Sequence, residues 1–465
     1  MNMLSVAFVV FIIALFIALK LSKKELARQN ILLIASYIFY AYADIRFLPI
    51  LLFQTVVAYC AAKAFSINRL SIKRLALLLS ITLEIGVLAI YKYSGLLINN
   101  GCGGGNLTIA LPLGLSFYTF QAVSYIIDAY QGKIHIEKSF KKVALYIGFF
   151  PQITSGPIVK AHDFLKQLEQ QHPVKMQNIA DGAQIFLMGI VKKIVIADRL
   201  GRAVDAVYAA PHVYSGMSIL VTTLAYSIQI YCDFSGYSDM AVGIARALGY
   251  DIGRNFNLPY IAQNPAEFWK RWHISLSSWL KEYVYIPLGG SRRGIKRTCI
   301  NLLIVMLLSG IWHGAGWTFV LWGLYHGIGS VVHKLFKELV NQRGWHIQSS
   351  AGKRLSKGVS IILTFLFVNL GWVLFRADSI ETALTFVYRM FVMADGVHYI
   401  YVYTIIFLIL LAVVCIYTLW KKEGEVSYLL LDYNKFSSWF ILWTVILLTL
   451  AFFYHGDTAF IYGGF

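Results

Sequence analysis

Long apolar runs without a single charged residue recur through this chain of 465 residues. Residues 3–19, 300–312, 361–375, 399–420 and 436–454 contain no Asp, Glu, Lys or Arg. A bilayer core is crossed by a helix of about 20 apolar residues, and a water-soluble core has no need for so many such segments. Charged residues make up 14% of the chain, against about 25% in soluble domains. The expected architecture is an all-α polytopic membrane protein forming one domain over residues 1–465, with no internal repeat and no low-complexity linker.

The formal charge is +18, but its placement argues against nucleic acid as a partner. Lys and Arg cluster in short loops between apolar runs, at residues 20–28, 63–74, 133–142 and 160–175, as cytoplasmic loops of membrane proteins do. Residues 3–19 lack a basic leader and a small-residue cleavage site, so they read as a retained first helix running inward. Counting crossings from there predicts that both termini face outside. Five cysteines without a CxxC pair indicate neither a disulfide framework nor a metal site.

Several segments depart from simple spans. Residues 31–63 are too long for one crossing and are interrupted by Asp44, Arg46 and Pro49, which predicts a hairpin. Residues 143–160 hold two prolines and two glycines. Broken backbone at membrane depth must be enclosed by protein or line a wet cavity, so this reads as a re-entrant segment. Lys192 and Lys193 lie within an apolar stretch and are expected to snorkel or face a cavity. Asp233 and Asp239 are expected to bond to facing helix ends or tyrosines.

The chemistry concentrates in residues 264–327. His273 and His313 lie in Trp-rich apolar surroundings, separated by the basic residues Arg292, Arg293, Lys296 and Arg297. Residues 300–312 rise about 20 Å at 1.5 Å per residue and deliver His313 to a glycine-flanked turn. An ionisable side chain at membrane depth marks a functional site by default, and imidazole, with an ordinary pKa of about 6.5, suits general-base work. Trp269, Lys270, Arg271 and Trp272 ahead of His273 resemble an interfacial entry. Together with Arg292 and Arg293 they are the candidates for holding a phosphorylated donor. His326 and His333 read as interhelical hydrogen-bonding histidines. On these residues alone an enzyme and a transporter both remain open.

Six blocks carry a family resemblance: LPLGLSFYTFQAVSYIID (111–128), FFPQITSGPI (149–158), KKIVIADRL (192–200), YCDFSGYSDMAVGIARALGY (231–250), FWKRWHISLSSWLKEYVYIPLGG (268–290) and LSGIWHGAGWTFVLWGLYHG (308–327). In this order they resemble the membrane-bound O-acyltransferase family, in its bacterial alginate O-acetyltransferase-like branch. The resemblance implies about 11 transmembrane helices plus re-entrant segments around a central tunnel. It makes His313 the catalytic residue and His273 the second active-site position.

It also implies an inner-membrane enzyme with no tightly bound cofactor and no metal. Acetyl-CoA would serve as cytoplasmic donor and an envelope or exported polysaccharide of alginate, peptidoglycan or cellulose type as acceptor. A periplasmic esterase-fold partner would complete transfer. The ending Phe460-Ile461-Tyr462-Gly463-Gly464-Phe465 is similar to a C-terminal aromatic segment of related acylation systems, in which the tyrosine matching Tyr462 is a transient acyl acceptor. Two glycines stand where that pattern commonly has an aromatic and a polar residue, and an aromatic anchor among membrane lipids is the competing reading. Within the family the alternative reaction is D-alanyl transfer from a carrier protein to teichoic acid. Outside it, the alternative is a transporter or acyl-CoA-binding scaffold.

Overall fold

Inside a bilayer the backbone has no water to bond, so a spanning segment must close its own hydrogen bonds as a helix. The computed structural model, which describes residues 3–101, 110–154, 156–170, 173–345, 347–421, 428 and 430–452, follows that rule. Helices α1 (Val6–Leu21), α2 (Glu25–Asp44), α3 (Leu48–Ala64) and α4 (Leu70–Gly101) come first. After α5 (Leu115–Tyr130) follow three short pieces, α6 (Phe140–Gly148), α7 (Phe150–Ile153) and α8 (Ala161–Gln167). Helices α9 (Met176–Ile190) and α10 (Asp198–Ala209) flank a π-wound stretch, Val191–Ala197, and lead to the long α11 (Gly216–Ala247).

Two seven-residue helices, α12 (Pro265–Arg271) and α13 (Ile274–Leu280), precede α14 (Gly294–His313) and α15 (Trp317–Arg343). The rest is α16 (Ser350–Arg376), α17 (Ile380–Phe391), α18 (Val402–Lys421) and α19 (Phe436–Ala451). Five helical segments among the described residues are long and apolar enough to cross a membrane: Glu25–Ala64, Leu70–Ser94, Gly216–Ala247, Gly294–His313 and Ser350–Arg376. Shorter apolar helices occupy Val6–Leu21, Val402–Thr418 and Phe436–Ala451.

The first of the five is the anticipated hairpin. Asp44 ends α2 and accepts from the Arg46 backbone N–H at 3.0 Å, and Pro49 enters the first turn of α3, where its missing N–H costs nothing. Tyr37 and Leu51, seven residues before and after Asp44, both abut Gly148, so the two helices lie side by side. The segment with two prolines and two glycines is broken and enclosed by protein, as one half of the expectation for it required. Between α6 and α7 the chain breaks at Phe149, and residues 143–153 are buried throughout.

Helix α11 is the enclosed pillar. Within its most apolar window 78% of residues lie inside the protein, against 17% for α4, which therefore borders lipid. Two glycine pairs set its distance from α9. A Cβ at Gly182 would stand 2.3 Å from the Gly243 carbonyl oxygen, and one at Gly189 2.5 Å from that of Gly236. Small residues at such crossings let backbones touch where no hydrophobic effect drives association.

This close approach explains Lys192 and Lys193, which neither snorkel nor stand in an open cavity. Lys192 pairs with Asp239 at 2.5 Å, and Lys193 with Asp233 at 2.6 Å and Asp198 at 2.8 Å. The expectation for the aspartates is met at Asp239, which accepts from Tyr428 Oη at 2.9 Å, and both aspartates also pair with the lysines. Buried charges persist only when paired in this way. The π-wound turn, with its wider residue spacing, carries both lysines at the face of α11.

Substituting Gly189→Ala is expected to cost about 1–3 kcal/mol through overpacking, seen as a lower unfolding temperature in detergent. Gly86→Ala, at a position with nothing within 4 Å, is the control and is expected to leave that temperature unchanged or raised.

Candidate active site

Helices α14 and α15 form a tight hairpin because glycine faces backbone on both. A Cβ at Gly310 would lie 2.3 Å from the Phe319 carbonyl oxygen, and one at Gly323 2.5 Å from that of Met306. His313 is the last residue of α14, followed by the linker 314–316. The helix starts at Gly294, six residues ahead of the apolar run, so it is about 30 Å long. Residues 294–299 wind despite their charge, and His313 lies about 20 Å along the helix from the start of the apolar run, as anticipated.

A helix ending at such a depth leaves carbonyls that need donors. Helix α4 supplies them. Tyr93 Oη donates to the Ile311 carbonyl at 2.6 Å, and Lys92 Nζ donates to the Trp312 carbonyl. Lys92 also donates to Ser116 Oγ at 3.4 Å and lies 5.1 Å from the centre of the Trp312 ring. Neither Lys92 nor Tyr93 was singled out from the sequence, although a lysine within the apolar residues 75–93 is the kind of signal that marks a site.

His273 reaches the same place from the other side of the sequence. It sits between α12 and α13 with φ 43° and ψ 55°, a left-handed conformation unfavourable for a residue bearing a Cβ. Asn255 holds this turn. Its carbonyl accepts from the Ile274 N–H at 2.9 Å, its Oδ1 accepts from Ser275 Oγ at 2.6 Å, and its Nδ2 donates to Ser238 Oγ on α11 at 2.9 Å. The His273 ring then meets Phe234 at 4.7 Å and Trp312 at 5.9 Å.

Trp312 is therefore the shared wall of the two histidines, since its ring is 4.8 Å from that of His313. His313 is further enclosed by Trp322 and Phe375, each at 5.1 Å. Both histidines are 1% exposed. His326, one layer away, is boxed by Trp269, Trp322 and Phe367 at 4.9–5.2 Å. Its ring nitrogens find no hydrogen-bond partner among the described residues, so it is an aromatic-core histidine and not the hydrogen bonder anticipated.

Helix α13, which begins just after His273, separates two hollows. Ile274, Ser275 and Ser278 line a polar cavity of 840 Å³ whose rim carries Lys160, Arg246, Arg254 and Lys270 against Asp163 and Asp251. Leu276, Ser277, Leu280 and Lys281 line an apolar cleft of 420 Å³ that runs along α14 to Ser309 and is bordered by Trp269 and His333. Beside the polar cavity, burial pushes the Glu282 carboxyl up, but contacts with Lys160 and Lys133 outweigh it and hold the group below its ordinary value.

Of the anticipated donor-binding residues, only Lys270 lies on that polar cavity. Arg271 is engaged by Glu267 at 2.9 Å and by the Asn257 carbonyl at 3.1 Å. Arg292 and Arg293 are exposed on the turn ahead of α14. Trp272 is core, 4.7 Å from Trp372 and 5.0 Å from Phe256, and Trp269 faces the cleft instead. The other cations on the polar cavity, Lys160, Arg246 at the end of α11 and Arg254, were not among the anticipated residues, because segments distant in sequence bring them together. Tyr462 lies outside the described residues.

The profile of the MBOAT, membrane-bound O-acyltransferase family, matches residues 38–370. The chain belongs to that family. This O-acyltransferase is 36% identical over 390 residues to the probable alginate O-acetylase AlgI of Pseudomonas aeruginosa, covering 81% of this chain and 72% of that protein. Identity to the peptidoglycan O-acetyltransferase of Helicobacter pylori is also 36%, over 403 residues, covering 79% and 75%. The teichoic acid D-alanyltransferase of Bacillus subtilis is more distant, at 29% over 278 residues, covering 57% and 68%.

The left-handed turn at residue 273 separates backbone from ring. His273→Gly and His273→Ala both remove the imidazole, but glycine accepts this φ freely. The acyltransferase carrying His273→Ala is expected to be less stable than the His273→Gly form by about 1 kcal/mol, measured as the difference in unfolding temperature in one detergent.

Proposed function

We propose that this acyltransferase moves an acetyl group from cytoplasmic acetyl-CoA to hydroxyls of an envelope or exported polysaccharide, with His313 as general base. The observation that carries this reading is the convergence of His313 and His273 on one buried indole, Trp312, with the polar cavity lined from Ile274, the residue after His273. The polysaccharide class is supported by the two O-acetyltransferase relatives, which share about a third of their residues with most of this chain. The basic loops would mark the cytoplasmic side of a bacterial inner membrane, and an esterase-fold partner across the membrane would complete delivery to the sugar.

Acetyl-CoA carries a pyrophosphate and a 3′-phosphate, and Lys160, Arg246, Arg254 and Lys270 are suited to them. The thioester would then reach past the start of α13, where His273 orients it. His313 removes the proton from the acceptor hydroxyl as its oxygen attacks the thioester carbonyl. The C–S bond breaks, and the departing thiolate takes the same proton back from the imidazolium. Carbon, charge and proton balance within one turnover, and the carrier never crosses the membrane.

Two measurements test this. With acetyl-CoA and membranes from the native host, His313→Ala is expected to reduce CoA release at least 100-fold, the order of a lost general base, while the unfolding temperature is kept. Equal release would make the histidine structural, and turnover that needs a charged carrier protein instead of acetyl-CoA would favour D-alanyl transfer. Separately, Arg254→Gln and Lys270→Gln are each expected to raise KM for acetyl-CoA about tenfold, as a lost charge-assisted bond of roughly 1.5 kcal/mol requires. Their kcat should stay near that of the wild type, the mark of binding lost equally from ground and transition states.

A further inference from the structure

We propose that Lys92 is a catalytic residue of this enzyme, supplying the positive charge that stabilises the tetrahedral oxyanion formed during acyl transfer. This rests on the reading of His313 as the base and adds the group that faces the charge the base creates.

Lysines at membrane depth elsewhere in the protein have counter-ions: Lys192 has Asp239, and Lys193 has Asp233 and Asp198. Lys92 differs. Its hydrogen-bond partners among the described residues are the Trp312 carbonyl and Ser116 Oγ, both neutral. A cation kept in an apolar setting without an anion is costly. The end of α14 and the Trp312 ring offset part of that cost, through the helix dipole and a cation–π contact. The remaining positive potential is available to an anion that exists only during the reaction.

The position suits that use. Lys92 is fastened to the carbonyl of the residue just before His313, so backbone connects the ammonium and the imidazole through one peptide unit. An ammonium has three N–H donors, and two are accounted for by protein. In the step itself, His313 takes the hydroxyl proton, the new C–O bond forms, and the carbonyl electron pair moves onto oxygen, where the third donor of Lys92 meets it. Collapse restores the carbonyl and expels the thiolate, which is reprotonated by His313. A preorganised donor at a developing oxyanion contributes about 10²–10³-fold to rate.

A structural role, capping α14 and nothing else, makes a different prediction, and Lys92→Gln separates the two. Glutamine can still donate to the Trp312 carbonyl but carries no charge. In native-host membranes with acetyl-CoA, Lys92→Gln is expected to keep its unfolding temperature and to hold KM for the donor within about twofold. It should lower kcat about 10²-fold or more. Loss of a cation beside the base favours the imidazolium, so the acidic limb of the rate profile should move to higher pH. Lys92→Arg, which keeps the charge, should restore the limb and recover rate relative to Gln.

Wild-type kcat in Lys92→Gln would overturn the proposal. So would a rate loss with an unmoved limb that Arg does not recover. If Gln lowers the unfolding temperature, the Arg variant decides: a folded Lys92→Arg enzyme with the limb in place supports the charge, and a folded one as impaired as Gln refutes it. His313→Ala reports separately on the base. Turnover surviving there while Lys92→Gln fails would discard the base and leave the oxyanion role standing.

Discussion

A carbonyl at the end of a helix inside a membrane has no water to accept from. Helix α14 ends in that predicament at Ile311 and Trp312, and the solution is Tyr93 and Lys92 on α4. These two bonds do more than satisfy an orphaned terminus. They fix where α14 stops, hence where His313 projects, and they tie the lipid-facing α4 to the buried end of α14. The α14–α15 hairpin depends on the same exactness of placement, since Gly310 and Gly323 leave no room for a side chain between the backbones. His273 is held independently, through Asn255 and Ser238 on α11, so the two histidines meet at Trp312 only because two separate anchors agree.

The apolar runs and the proline and glycine breaks were legible in the sequence because their causes are local. Asp44 and Pro49 end one helix and start another by their own backbone chemistry, and residues 143–160 break for the same reason. The ionisable residues were less legible, since their states depend on partners far away in the chain. Nothing local says that Lys193 will find Asp198 and Asp233 and not the interface. That outcome follows from the glycine pairs that bring α9 against α11. His313 and His273 stood out by their surroundings and were paired by the family resemblance, and the fold brings both rings to Trp312.

The phosphate-binding candidates show the opposite limit. Arg292 and Arg293 form a compact basic motif in the sequence, yet they sit on an exposed turn, while Lys160, Arg246 and Arg254 are scattered and converge on the cavity with Lys270. Cation clustering along a chain reports topology through the positive-inside tendency. Clustering in space around a hollow is the arrangement a phosphorylated donor would need. In a membrane protein the two signals use the same residue types, and only the fold separates them.

Helix α13 has one more implication. It is a seven-residue partition with a polar hollow on one face and an apolar cleft on the other, and its first turn begins at His273. A rigid wall shared by two chambers cannot move without enlarging one at the expense of the other. A ligand wide enough to press on that wall would change the width of the other chamber and the aim of the imidazole at its end.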